Sequence, residues 1–333
     1  MMRNFNLLFL TVLAASFAAL NAQDGRFYTM EDEQYFKPMI ANIRTPVNHI
    51  RMYRDEPVPF VNSEREGKHT FWDVAFGGYF PLVGVRFGAV GDNPMRRSGL
   101  ALYVSGSAHV LQDFDAYSSD IINTDYRIGG GAVMRFPASL NFLSLRYRYF
   151  HESSHVGDEF TLGASGDDEF RRYNVSYEAN EVYLAGDHYA NENEGFLTLS
   201  YVRLYGGFRA LTKEPLFEDF SDPGEEAALK TAGKNESQLG GEVFLQAWRR
   251  PYLFIIPQYF VVAADFYRRD RYAVVDPASV WSTHVVAGAI LGRYFDNGRT
   301  VRWTINYYKG VNPHGQFRSG EIEYVGLDVA IGF

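Results

Sequence analysis

The chain of 333 residues contains no cysteine. That absence excludes disulfides, thiolate metal sites and a lipobox anchor, so an exported form must rest on burial and hydrogen bonding. Beyond the N-terminal segment, no apolar run reaches the roughly 20 residues that a membrane-spanning helix needs. Lysines are sparse beside arginines, and no basic cluster interrupts the mixed-sign pattern. With a net charge of −8, this argues against a nucleic-acid partner. What the chain does have is aromatic side chains and glycine: 23 Tyr, 27 Phe and 31 Gly. Aromatic and glycine enrichment without long hydrophobic runs suits strands that alternate apolar and polar residues.

Arg3, the apolar run Leu7 to Leu20 and Asn21-Ala22 read as a signal peptide over residues 1–22, with cleavage expected after Ala22. Residues 23–68 are polar, punctuated by Pro38, Pro46, Pro57 and Pro59, and are expected to form an N-terminal arm with at most one strand. From residue 69 to 333 the pattern changes to period two. In Thr70 to Phe80, Trp72, Val74, Phe76 and Phe80 alternate with Asp73, Ala75, Gly77 and Tyr79; Gly99 to Phe114 and Tyr126 to Phe136 repeat the device. Further strands are expected at Leu143 to Glu159, Arg171 to Tyr189, Gly195 to Leu211 and Gln238 to Arg249. Others follow at Tyr252 to Arg268, Val280 to Phe295, Thr300 to Lys309 and Glu321 to Phe333.

Connections alternate between long polar loops, such as Thr212 to Glu236, and minimal turns at Pro137-Ala138-Ser139, Arg249-Arg250-Pro251 and Asn297-Gly298. This is the asymmetry of a barrel with extracellular loops and periplasmic turns, and even strand number adds a twelfth strand near the N-terminus. The expected fold is all-β: an antiparallel transmembrane outer-membrane β-barrel of about 12 strands. A soluble sandwich or lipocalin-like barrel is the competing architecture, but a closed soluble barrel points its apolar face inward and needs fewer strands.

The strand from Leu143 organises the functional reading. Ser144, Arg146, Arg148 and Glu152 share one face, while Tyr147, Tyr149, His151, Ser153 and His155 share the other. A charge on the lipid face at the midplane costs roughly 2–4 kcal/mol, so the arginines must face the lumen and the histidines and serine must face lipid. Arg127, Arg135, Arg146, Arg148 and Arg172, set against Glu178 and Glu242, predict a lumen packed with charge pairs rather than an open channel.

Alternate strand positions lie about 7 Å apart, within reach of side-chain rotation. A histidine at that distance can take a serine's hydroxyl proton, which makes His151 the expected base and Ser153 the expected nucleophile. His155 and His314 are candidate supporting groups, and Ser154, pointing the other way, is the expected neutral control. Asp158 and Glu159, beside Gly157, could hold Ca²⁺ together with Asp167 and Asp168. A polar cap at the strand end, hydrogen-bonded to loop backbone, is the competing reading. His49, His69, His109, His188 and His284 are read as structural, and Gly129-Gly130-Gly131 as relief of crowding on a curved strand.

His151-Glu152-Ser153, with its inferred outward facing, resembles the sites of outer-membrane phospholipase A and the lipid A 3-O-deacylases. The resemblance implies acyl-ester hydrolysis of phospholipid or lipopolysaccharide at the outer leaflet. It also implies a third group: an amide in the phospholipase pattern, for which Asn174 is the candidate, or a carboxylate in the deacylase pattern, for which Glu169 or Asp168 is nearer. An alternating apolar face ending in Phe333 resembles the last strand of bacterial outer-membrane proteins, which implies the barrel-assembly machinery as a partner. A longer resemblance, through Tyr149 to Glu159, Asn174 to Glu178, Leu204 to Gly207 and Gly315-Gln316-Phe317, is to an uncharacterised family of exported bacterial proteins with a domain of unknown function. That family implies no activity. A non-enzymatic structural or ligand-binding barrel, or a channel, is the alternative function.

Overall fold

The computed structural model describes residues 26–31, 35–55, 68–87, 97–116, 119–158, 175–190, 196–213, 235–248, 256–272, 278–292, 294–296 and 299–332. A short strand β1 (Arg26–Thr29) precedes β2 (Asn48–Asp55), β3 (His69–Phe87), β4 (Ser98–Asp113), β5 (Ile121–Arg135), β6 (Leu143–Val156) and β7 (Val175–Tyr189). β8 (Thr198–Lys213), β9 (Asn235–Gln246), β10 (Tyr259–Arg271), β11 (Ala278–Gly292), β12 (Thr300–Val311) and β13 (Glu321–Gly332) complete the set. Each strand from β3 to β13 is antiparallel to its sequence neighbours, and β2 bonds to both β3 and β13. The twelve strands β2 to β13 therefore close a ring without an edge, which satisfies every strand's outer hydrogen bonds. β1 pairs with the end of β3, from Val83 to Arg86.

Alternation sends opposite chemistry to the two faces. Phe76, Ile128, Leu204, Leu239, Val262, Trp303, Ile305, Val325 and Leu327 are exposed on the outside, while Arg146, Arg148, Glu152, Arg203 and Glu242 are buried inside. An apolar exterior around a polar interior is the inverse of a soluble barrel and the pattern of a membrane one. At β5 against β6, a β-carbon on Gly129 or Gly131 would collide with the carbonyl oxygens of Tyr149 and Tyr147, so glycine permits the close approach.

The lumen is filled. At its middle, Glu181 accepts from Arg148 at 2.7 Å, Arg209 at 3.3 Å and Arg146 at 3.5 Å. Toward the end where β5 finishes, the turn end, Asp187 holds Arg135 at 2.7 Å and Arg203 at 3.4 Å. Toward the opposite, loop end, Arg127 Nε bonds Glu152 at 2.7 Å. Removing one partner of such a buried pair leaves a stranded charge and costs about 3–5 kcal/mol.

The N-terminal arm supplies a plug that its sequence did not reveal. Tyr35, Phe36, Met39, Ile40, Ala41 and Ile43 are buried inside the ring. The wall satisfies this irregular backbone: Arg135 donates to the Tyr35 carbonyl at 3.2 Å and Arg203 to that of Lys37 at 2.8 Å. Ile40 N–H donates to Glu242 at 2.7 Å, the Ala41 carbonyl lies 2.6 Å from His284 Nδ1, and Arg127 donates to the Arg44 carbonyl at 3.3 Å. Each arginine fork thus serves wall and plug together, a use that a lysine point charge would not fill as well. At the loop end, residues 312–318 fold inward as a cap and are all buried. Phe317 joins the cluster of Tyr53, Phe71, Leu111, Tyr308 and Tyr324. Arg318 pairs with Glu236 and donates to the Asp270 carbonyl at 3.0 Å. Burial lowers its pKa to about 10, which leaves it charged at neutral pH. A cavity of about 290 Å³ remains between the plug and the turn-end half of β3 and β4.

Two expectations are corrected. The strand expected near the N-terminus is β2 (Asn48–Asp55), so the barrel begins at Asn48 rather than at residue 69. The turn expected at Arg249-Arg250-Pro251 lies outside the described residues, as does Tyr252, and β10 is described from Tyr259. Glu178 faces outward and Tyr177 inward, the reverse of the expected parity in β7; Glu181 and Asp187 supply the inward charge instead. The reason is depth. Glu178 lies near the loop end, where an outward charge costs about 0–1 kcal/mol, whereas Glu181 sits further into the wall where the cost is severalfold greater. Arg172, Asn297-Gly298 and Phe333, and the signal segment 1–22, lie outside the described residues.

Candidate functional site

β6 presents the face expected of it. Arg146, Arg148, Glu152 and Ser154 are buried toward the lumen, Tyr149 and His155 are exposed on the outer surface, and His151 and Ser153 are half-buried there. The strands on either side continue the patch: Tyr126 of β5 and Ser176 of β7 stand directly opposite Ser153, and Ile128 and Glu178 stand opposite His151. Polar groups gather at one height because the register places three loop-end strand segments side by side.

Ser153 Oγ lies 2.8 Å from Nε2 of His155. The expected partnership with His151 is therefore replaced by one with the next histidine along the same face. In the Nδ1-protonated tautomer, Nε2 of His155 accepts the serine proton, which is the geometry required of a base beside its nucleophile. The His155 ring meets the edge of Tyr126, with centroids 5.9 Å apart at 60°. Tyr149 Oη donates to Glu178 Oε2 at 2.6 Å, so the carboxylate opposite His151 is already anchored on the outer surface. Sequence reasoning missed Glu178 as a member of this face; the signal was the pair Glu181 and Asp187, whose shared parity fixes which side of β7 is inward.

His314 does not support the motif. It is buried in the cap on the lumen side of the wall, with Nδ1 3.7 Å from Asp125 and Nε2 3.9 Å from Asp73. Burial lowers its pKa. Ser154 is not a neutral control either: its hydroxyl donates to Asn123 at 3.0 Å inside the lumen, and its carbonyl accepts from Gln316 at 2.9 Å. Asp158 is exposed just beyond the strand. Glu159, Asp167, Asp168, Glu169 and Asn174, named for calcium binding or as third members, lie outside the described residues.

Comparison with curated proteins returns no match in sequence. Among solved structures, the fold is similar to the transport unit of the autotransporter AIDA-I from Escherichia coli. Identity is 12%, 89% of this chain and 92% of that chain are covered, and the TM-score is 0.44. Residues 18–333, which span the plug, every strand of the barrel and the Ser153 patch, match the model of the family described as "Protein of unknown function (DUF1207)", and the chain belongs to that family.

Proposed function

We propose that this chain is an outer-membrane β-barrel that hydrolyses acyl esters of phospholipid or lipopolysaccharide on its bilayer-facing surface. The observation that carries the reading is the 2.8 Å contact of Ser153 Oγ with His155 Nε2 on the outside of a filled barrel. A filled lumen leaves the outer surface as the place where chemistry can meet a substrate, and lipid is what that surface meets. His155 takes the proton of Ser153 as the hydroxyl oxygen attacks the ester carbonyl, and returns it to the departing alcohol. Water, deprotonated by the same imidazole, then splits the acyl-serine and releases the fatty acid. Tyr126 and Tyr149 flank the pair as interfacial aromatics that contact acyl chains and headgroups. Glu178 and His151 form the polar neighbourhood of the scissile ester. Asp158, exposed just beyond β6, would offer a carboxylate to Ca²⁺, which makes the activity calcium-dependent. The barrel-assembly machinery would read β13, Glu321–Gly332, as the strand that seeds insertion.

The test uses purified barrel in mixed micelles with phospholipid and with lipopolysaccharide, with and without Ca²⁺. Ser153→Ala and His155→Ala are expected to abolish acyl release, while His151→Ala retains a measurable fraction. No release by the unmutated protein, or release undiminished in Ser153→Ala, would make the patch a structural cap.

A further inference from the structure

A second constellation sits inside the barrel, on one rung of the wall. His49 of β2 is opposite Ala75 of β3, and Ala75 is opposite His109 of β4, all three facing the lumen. The methyl group of Ala75 leaves room for both imidazoles to lean across it; their centroids are 6.0 Å apart and the rings cross at 61°. Asp73 lies two residues from Ala75 on the same face of β3, so the period of the strand brings its carboxylate to the same place. One ligand atom from each of His49, Asp73 and His109 lies within 4.8 Å of the others. From above, the cap lowers His314, whose Nε2 is 3.9 Å from Asp73 Oδ2.

The hydrogen bonding of these groups is incomplete in a way that points to a ligand. His49 Nε2, both ring nitrogens of His109, both of His314 and Asp73 Oδ1 are buried without a hydrogen-bond partner. Burying such groups unpaired costs on the order of 1–3 kcal/mol each, so their convergence needs a reason. Asp73 Oδ2 is meanwhile held by Arg51 at 3.0 Å, which fixes the carboxylate and leaves Oδ1 turned free.

We propose that His49, Asp73 and His109 bind a divalent transition-metal ion, onto which the cap brings His314, a residue outside that group of three, as the fourth ligand, closing the cap onto the barrel wall. Three imidazoles and a carboxylate select zinc, nickel or cobalt over calcium or magnesium, which prefer all-oxygen sites. Tetrahedral coordination at about 2.0–2.2 Å sets donor atoms about 3.4 Å apart, a contraction that rotation of the imidazoles can supply. Four protein ligands leave no open position, so the ion is structural. It joins β2, at the seam where the ring closes, to β3, β4 and the cap.

The experiment uses the full-length barrel without an affinity tag, folded in detergent, treated with EDTA and titrated with Zn²⁺, and with Co²⁺ as a visible probe of geometry. One ion per chain is expected, with the strong visible absorption of tetrahedral Co²⁺ and a rise in the temperature at which the barrel loses its gel shift. His49→Gln with His109→Gln should weaken Zn²⁺ binding by more than about 100-fold. His188→Ala, which removes an exposed imidazole on the outer surface, should leave it unchanged. Where the double variant fails to fold, His314→Gln, which leaves the sequence of every strand intact, carries the same test through loss of the tetrahedral cobalt spectrum. Absence of stoichiometric Zn²⁺ binding by the folded wild type, or an unchanged cobalt spectrum in the variants, would overturn the site.

Discussion

The two faces of β6 obey different rules, although they are made by alternate residues of one segment. Inward, Arg148 and Glu152 are committed to partners on other strands, and even the Ser154 hydroxyl is bonded to Asn123. Outward, Ser153 and His155 bond one another two residues apart. A side chain tied across the lumen holds the barrel together; one tied only to its own strand leaves the wall's pairing untouched. Residue type alone does not mark a site in this wall, since serine and histidine occur on both faces, and facing decides what each can do.

Substitutions can break this division. The largest effect is expected in acyl release, where Ser153→Ala should lower turnover by about a thousandfold or more while the gel shift on boiling is kept. On stability, Glu181→Ala should cost about 3–5 kcal/mol, because it strands Arg148 and leaves Arg146 only the Tyr79 hydroxyl and Arg209 only Glu236; the urea midpoint in detergent measures it. Leu204→Arg, which puts a charge midway along the outer face of β8, should cost about 2–4 kcal/mol in lipid vesicles. Ser154→Ala should cost about 1–3 kcal/mol by leaving Asn123 Oδ1 unsatisfied. Ser153→Ala, one residue away, should change the same midpoint by less than about 0.5 kcal/mol. Equal stability losses at residues 153 and 154 would erase the distinction between the faces.

The inward face also carries the plug and the cap. The Tyr35 to Val47 segment and the 312–318 cap occupy the space a solute would need. Planar bilayers containing the intact barrel should therefore show no steady conductance, and excising residues 35–45 should open a pore. Steady conductance of the intact chain would contradict a plug held by Arg135, Arg203 and Glu242.

Much of the architecture was legible because lipid imposes it. The cost of a charge in hydrocarbon sets the parity of β6 from Arg146 and Arg148, and with it the outward placement of His151, Ser153 and His155. That rule weakens near the barrel's ends, and there the reading failed: Glu178 is tolerated outside because its position in β7 is shallow. Parity cannot choose between His151 and His155 as the partner of Ser153, since both lie two residues away on the same face and side-chain rotation decides. The plug escaped notice because irregular backbone has no period, and its hydrogen bonds are supplied by arginines distant in sequence. His314 was misplaced for a related reason. Nothing local in Asn312-Pro313-His314-Gly315 tells whether a loop turns outward or folds into the lumen.

The claim that the outer pair is a working nucleophile and base is most directly tested by covalent labelling. Purified barrel in detergent is treated with a lipophilic fluorophosphonate and its peptides are mapped by mass. A single adduct on Ser153, lost in His155→Ala while the barrel stays folded and formed at a reduced rate in His151→Ala, is the expected result. An unlabelled Ser153, or labelling that persists without His155, would contradict it.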